Sequence, residues 1–221
     1  MKKQLGIRLA MAGLVAFGLV GAVSSEANAC GGEWVPAVEI DHRPEGIARA
    51  EKLMEKGDNV AAAATVIRVM PHIKQLKPKS SIVERAQRIL AVTTARSNGS
   101  LAIAREVPDY AQGKWVGKTA QDKASNLEWS VATLRTLSEG DKEDTALQTD
   151  LAEALAKTDS GKAEAKDILE KLAQKDLIAT PEGYATLAEL RSAAGDAEGQ
   201  KLAQKRCESM AKTANACRVS A

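Results

Sequence analysis

Two histidines are the residues in this chain most able to do acid–base or metal chemistry. His42 follows Asp41, and a carboxylate beside an imidazole can hold that ring as a base. Neighbouring side chains of an extended segment point in opposite directions, however, so this pair favours an exposed or helix-capping histidine. His72 follows Pro71 at a predicted helix end, where the helix dipole favours a cation. Neither histidine therefore predicts a catalytic base or a metal ligand.

Carboxylates are plentiful, but their spacing does not indicate a paired acid and base. Glu164, Glu170, Glu182 and Glu189 fall on polar faces of predicted helices with lysines nearby. Such pairs stabilise a helix by about 0.2–0.5 kcal/mol each. The sequence also contains no phosphate-binding loop, dinucleotide fingerprint, zinc-protease motif or serine-hydrolase elbow. We therefore expect no catalytic residue, no metal and no cofactor.

The first 29 residues have the order of a secretory signal peptide. Lys2, Lys3 and Arg8 precede an apolar run over residues 9–20, and a polar stretch follows at 24–26. The apolar run falls short of, or barely reaches, the roughly 20 residues that a permanent membrane helix needs. The pattern predicts a segment that is cleaved, and hence a periplasmic or secreted protein.

The expected cleavage site lies between Ala29 and Cys30, because Ala27 and Ala29 form the small-x-small pattern that a signal peptidase cuts. A cysteine at the new N-terminus leaves two interpretations open. The first is ordinary cleavage. The second is lipidation of Cys30, which would give an outer-membrane lipoprotein, although such sites usually carry a leucine where this chain has Ala27. That lipid would be the only membrane contact.

Cys207 and Cys217 are ten residues apart near the end of the chain. An exported protein meets an oxidising compartment, where disulfides form and persist. A helix followed by a returning tail can bring these two cysteines together, so we predict that they pair. Metal binding is disfavoured because the sequence has no C-x-x-C motif and no histidine close by.

Charge gives no indication of a nucleic-acid partner. The full chain has 31 Lys and Arg residues against 29 Asp and Glu residues. Removing the signal segment takes away three basic residues and one acidic residue, which leaves the mature chain formally neutral. Nucleic-acid binders usually show a basic excess on one face. The interspersed charges instead indicate a solvated helical surface.

The composition and the hydrophobic spacing predict an all-α protein. Aromatic residues are 3% of the chain, so alanine and aliphatic side chains must fill the core, which favours helices over sheets. The predicted segments are a signal peptide (1–29), an irregular segment (30–43), N-terminal helical hairpins (44–106), a loop (107–118), C-terminal hairpins (119–212), and a tail tied back by the disulfide (213–221).

Three local patterns predict helix starts. Ser81 with Glu84, and Ser125 with Glu128, have the spacing of a capping box, in which the two side chains bond to each other's free backbone amides. The pair Thr180-Pro181 places a capping residue before a proline in the first turn.

The spacing of several residues resembles that of the tetratricopeptide (TPR) repeat family. Tyr184, Leu187, Ala188 and Gly195 fit the offsets of the first helix of that repeat, with Arg191 in place of its second aromatic residue. Trp129 and Gly140 fit the outer positions of another copy, and residues 44–71 fit a third more loosely. The segments that begin at Leu151 and at Leu187 also align at a displacement of 36, close to the family period of 34.

The resemblance implies stacked antiparallel helical hairpins, a short TPR-like solenoid with a groove for a protein or peptide partner. It implies that the helices at 127–139 and 183–194 face this groove, with Arg135, Glu189 and Arg191 as partner-binding candidates. Trp115, in the predicted loop, is a further candidate because an exposed tryptophan anchors partners well, although a tryptophan in an aromatic-poor protein is more often part of the core. The expected function is therefore an exported interaction module or scaffold without catalytic activity. The alternatives are an envelope enzyme or small-ligand binder near His42 and Trp115, and a purely structural envelope component.

Overall fold

The computed structural model describes residues 41–212 and 216–217, and within those ranges the protein is all-helical. The predicted signal peptide, the cleavage site at Ala29 and Cys30, and most of the irregular N-terminal segment lie outside the described residues. The helices are α1 (Arg43–Glu55), α2 (Asn59–Val69), α3 (Ser81–Arg96), α4 (Asp109–Gln112), α5 (Ala120–Gly140), α6 (Thr145–Ala156), α7 (Lys162–Gln174), α8 (Pro181–Ala193) and α9 (Ala197–Met210). None of them is long and apolar enough to cross a membrane.

One of the three predicted helix starts is confirmed. Thr180 caps α8, and its hydroxyl accepts the amide of Gly183 at 3.0 Å. The two predicted capping boxes are wrong. Ser80, rather than Ser81, is the cap of α3 and makes no side-chain capping bond. Helix α5 begins at Ala120, five residues before Ser125, because Thr119 accepts the amide of Asp122 at 3.1 Å.

The helices pack in a regular order. Packing is most extensive within four pairs, α1–α2, α3–α5, α6–α7 and α8–α9, and each of these pairs is called a hairpin. The first helix of every hairpin also packs on the first helix of the next, which makes the continuous series α1, α3, α6, α8. Helices α2, α5 and α7 each contact the first helix of the following hairpin as well.

The two segments that are expected to face the groove, 127–139 and 183–194, take different places in this order. The second segment lies in α8, which belongs to the series of first helices. The first segment lies in α5, which is the second helix of its hairpin because it packs on α3 before α6. Gly140 consequently separates two hairpins, whereas Gly57 and Gly195 lie in turns inside hairpins.

Aliphatic side chains and alanines fill the core, as the composition predicts. One cluster occupies the N-terminal hairpins and the connection after α3, and the other occupies α6 to α9 with the end of α3. Met54 and Trp129 pack against both clusters.

The segment predicted as a loop at 107–118 contains the short helix α4 and a 3₁₀ turn over Gly113–Val116. Gln112 holds it together, since its buried amide donates to the carbonyl oxygens of Ala104 at 3.0 Å and Val107 at 2.7 Å. At Gly117 the backbone has φ of +59°, and an added Cβ would lie 2.7 Å from the carbonyl oxygen of Gly99. This connection is therefore a packed part of the fold.

Candidate binding surfaces

Trp115 lies in the core, so the prediction that it is an exposed partner anchor is wrong. Its side chain is only 5% exposed. The Trp115 and Trp129 rings meet edge to face, with their centroids 5.0 Å apart. An aromatic pair of this geometry stabilises the fold by about 0.5–1.5 kcal/mol beyond the area that it buries. Trp115 thus fixes the connection between α3 and α5 onto the core.

A lysine covers this aromatic pair. The ammonium of Lys74 lies 4.6 Å from the centroid of the Trp115 ring and 3.3 Å from Oδ1 of Asn126. Burial, together with the nearby charge of Lys114, lowers the pKa of Lys74. Asn126 is fully buried, and its amide donates to the carbonyl oxygens of Gly99 and Lys114. Asn126 joins three segments, and no local pattern singles it out, because its role depends on contacts that are distant along the chain.

His42 and Asp41 do not form a polarised pair. Both residues are exposed, and Asp41 instead accepts bonds from the backbone amide of Arg43 at 2.9 Å and from its guanidinium at 2.8 Å. The bond to the Arg43 side chain lowers the pKa of Asp41 to about 2. His72 is exposed as well. Within the described residues, no group of three or more potential metal ligands comes together.

Arg135 lines a groove of about 740 Å³ along α5. Its guanidinium makes a two-pronged bond to Glu164 of α7 at 2.8 and 2.9 Å, and both side chains are 43% exposed. Leu127 and Val131, one turn apart on α5, are half-buried residues that line the same groove. Glu128 is exposed beside them and makes no ion pair with any described residue.

Arg191 and Glu189 are in less open positions than Arg135. Arg191 is 15% exposed and binds Glu170 of α7 through two bonds, while a third reaches the carbonyl oxygen of Gly199. It joins three helices, which is a structural role, and its contact with a partner stays a prediction. Glu189 is half-buried and lies 3.8 Å from the ammonium of Lys157. The structure therefore brings Arg135 and Glu164 together at one groove and places Arg191 elsewhere.

A second feature is a layer of buried charges along the first helices of the hairpins. Arg96 of α3 makes a two-pronged bond to Glu153 of α6 at 2.8 and 3.1 Å, and it lies 3.6 Å from Glu182 of α8. Burial by itself would lower the pKa of Arg96. The charge and hydrogen bonds of Glu153 and the charge of Glu182 have the larger combined effect, so the pKa of Arg96 is raised. Thr180 donates to Glu153 at 2.6 Å. The guanidinium of Arg96 thus links α3, α6 and α8.

Arg88 and Asp150 continue this layer. The Nε of Arg88 donates to Oδ2 of Asp150 at 2.7 Å, and Asp150 is only 3% exposed. Burial raises the pKa of Asp150 to about 6, against the opposing charge of Arg88. Hydrophobic spacing gave no indication of this cluster, since the sequence shows these residues only as polar positions of amphipathic helices.

A cavity of about 330 Å³ opens onto this charged layer. Asp150, Arg88, Arg96 and Glu182 line it, and so do the end of α1 and the end of α9. Met54 and Met210 contribute apolar wall.

Cys207 and Cys217 are at disulfide distance, as the sequence predicts, with their Cα atoms 5.7 Å apart. Both are buried. Gln204 of α9 donates to the carbonyl oxygen of Cys217 at 3.2 Å, so the chain after α9 returns along that helix. The rest of the predicted tail, residues 213–215 and 218–221, lies outside the described residues.

No family model, no curated protein and no solved structure matches this chain.

Proposed function

We propose that this protein is an exported, TPR-like interaction module that binds a protein or peptide partner and catalyses no reaction. The observation that carries the proposal is the packing order of the helices. Each first helix contacts its own second helix and the next first helix. Stacked hairpin repeats have this pattern of nearest-neighbour contacts, and such arrays present extended binding surfaces.

The internal alignment at a displacement of 36 supports the same arrangement. The segment that begins at Leu151 runs through α6 and α7, and the segment that begins at Leu187 runs through α8 and α9, so the aligned segments are two successive hairpins. Tyr184, Leu187 and Ala188, at the offsets that resemble a TPR first helix, are all buried in α8. Side chains that fit the repeat pattern therefore occupy packing positions.

The partner site in this proposal is the groove along α5. Leu127 and Val131 offer two apolar contacts one turn apart, and Glu128 offers a carboxylate with no ion pair in the described structure. A partner segment that carries apolar side chains beside a basic residue fits this chemistry. Arg135 of α5 and Glu164 of α7 line the groove and form an ion pair there.

Export is supported by two separate features of the chain. At the N-terminus, basic residues are followed by an apolar run and then by small residues, which is the arrangement of a signal peptide. The pairing of Cys207 with Cys217 fits an oxidising compartment. We propose a periplasmic or secreted protein, with lipidation of Cys30 and attachment to the outer membrane as the alternative.

Site-specific photo-crosslinking in the native cells tests the proposal. A photoreactive amino acid at Ala132, an exposed position lining the groove, should capture one partner, whereas the same group at Lys205 on α9 should not. Glu128→Arg should abolish the adduct at Ala132. Glu106→Arg, the same charge reversal at an exposed site outside the groove, should leave it intact. Capture that is equal at both positions, or unaffected by Glu128→Arg, would contradict a partner site in this groove.

A further inference from the structure

The residues of α5 that line the groove lie on one face of that helix. Their positions follow the helical period over about three turns, because residues three, four and seven apart share a face. Ala124 and Ala132 are exposed, and Leu127 and Val131 between them are half-buried. The lining residues that α5 supplies are Ala124, Leu127, Glu128, Val131, Ala132 and Arg135. They form a stripe that runs parallel to the axis of α5.

The apolar part of this stripe has the spacing at which two helices pack. Ala124, Leu127 and Val131 are three and four residues apart, as in the seam of a coiled coil. The fully buried residues of α5 belong to a different face and are Asn126, Ser130 and Leu134. The contacts of α5 with α3 and α6 therefore do not fill this seam.

The charges around the groove favour a basic occupant. Glu128 is exposed and makes no ion pair with any residue that the structure describes. The other charged residues of the lining each take part in an ion pair, as Arg135 with Glu164, Lys157 with Glu189, and Asp159 with Lys162. One carboxylate beside the seam is thus left uncompensated, and a cationic side chain of a partner would complement it.

The walls of the groove suit a helix better than an extended segment. An extended peptide gains affinity mainly by adding its backbone to the edge of a sheet, and the described ranges contain no strand. A helix satisfies its own backbone groups and presents apolar side chains at the same spacing of three and four residues. Its stripe can therefore pack along the stripe of α5.

We propose that the partner segment in this groove is an amphipathic α-helix that lies lengthwise along α5. Its apolar stripe packs on Ala124, Leu127 and Val131, and a lysine or arginine of the same helix pairs with Glu128. This inference rests on the partner site proposed above and adds the conformation, the orientation and the charge of the occupant.

The spacing of two crosslinks tests the conformation. A short diazirine amino acid is placed at Ala124 or at Ala132 of the full chain in the native cells, and the adducted residue of the partner is mapped by mass spectrometry. The two positions are eight residues apart on α5, which is about 12 Å along the helix axis. A helical partner should be adducted at sites about 7–8 residues apart, whereas an extended partner covers this distance with about 3–4 residues.

A charge exchange tests the pairing with Glu128. Glu128→Arg should abolish both adducts, and replacing the basic partner residue between the two mapped sites with glutamate should restore them. Glu106→Arg, at an exposed position outside the groove, should leave the adducts of the wild-type partner intact. Circular dichroism should show the same helix content in every variant, because each substituted side chain is exposed.

The outcomes separate this inference from the proposed function. Mapped sites about 3–4 residues apart, or an adduct at only one of the two positions, would overturn the lengthwise helix and keep a partner in the groove. Adducts that persist in Glu128→Arg, or that the charge exchange does not restore, would overturn the pairing with a basic residue. Adducts at neither position would contradict the partner site itself.

Discussion

Asp150 is the residue whose environment departs most from what its position in the sequence suggests. In an amphipathic pattern it is one polar residue among many on α6, yet the structure buries it between α3 and α6. The groups that face it are Arg88 and Arg96 from α3 and Glu153 from its own helix, while Glu182 of α8 lies across the cavity. Burial and Glu153 raise its pKa, and the two arginines oppose them.

This environment predicts a pH dependence of stability. Because the folded-state pKa of Asp150 is about 6, above its usual 3.8, the folded protein holds this proton more tightly than the unfolded chain. The resulting stabilisation is present below pH 3.8 and is lost as the pH rises through 6. A shift of two pKa units corresponds to about 3 kcal/mol.

The test compares free energies of unfolding, from urea titrations, for wild type and Asp150→Asn across this pH range. We expect wild type to lose about 2 kcal/mol relative to Asp150→Asn between about pH 4 and about pH 7. The corresponding difference for Asp167→Asn, which changes an exposed carboxylate on α7, should stay flat. A flat difference for Asp150→Asn would mean that Asp150 is ionised and solvated in the folded protein.

At the scale of elements, the connection between α3 and α5 is where sequence and structure differ most. Pro108, Gly113 and Gly117 interrupt any helical period and so predict a loop. The structure instead packs this segment, because Trp115 inserts into the core and Gln112 ties the chain to itself. A local pattern can predict where a helix ends. It cannot predict how the following segment packs, because that depends on Trp129 and Lys74, which belong to other parts of the chain.

Trp115→Ala tests this packed connection. Removing the ring should lower the free energy of unfolding by about 3–5 kcal/mol, since it leaves a cavity beside Trp129 and removes the aromatic face under Lys74. Tyr110→Ala is the matched control, because Tyr110 belongs to the same connection but is 85% exposed. Its effect should stay within about 0.5 kcal/mol. Similar losses in both variants, measured by circular dichroism in urea, would contradict the assigned core position of Trp115.

The contribution of the cysteine pair to stability can also be tested. Closing a chain segment of ten residues between Cys207 and Cys217 should stabilise the protein by about 2–3 kcal/mol in the chain-entropy description. A reductant should lower the unfolding free energy of wild type by this amount. It should leave the double variant Cys207→Ala, Cys217→Ala unchanged. A reductant effect of equal size in both proteins would show that it does not act through this disulfide.

At the scale of the whole molecule, the helical class, the cysteine pair and most helix positions could be predicted from the sequence. They depend on composition and on residues that are close along the chain, such as Thr180-Pro181 at the start of α8. The assignment of α5 to a hairpin could not be predicted, because α5 meets α3 on one side and α6 on the other. The charged layer around Arg96 was missed for the same reason, since its members come from three helices.

Intact mass spectrometry of the native protein, with and without reduction and in each cell fraction, tests the central claim of export most directly. We predict the mass of residues 30–221 less two hydrogens, in the periplasmic or secreted fraction, with the two hydrogens regained on reduction. A mass raised by acyl chains, in the membrane fraction, would keep export and make Cys30 a lipid anchor. The mass of the uncleaved chain with free thiols, found in the cytoplasm, would contradict the account.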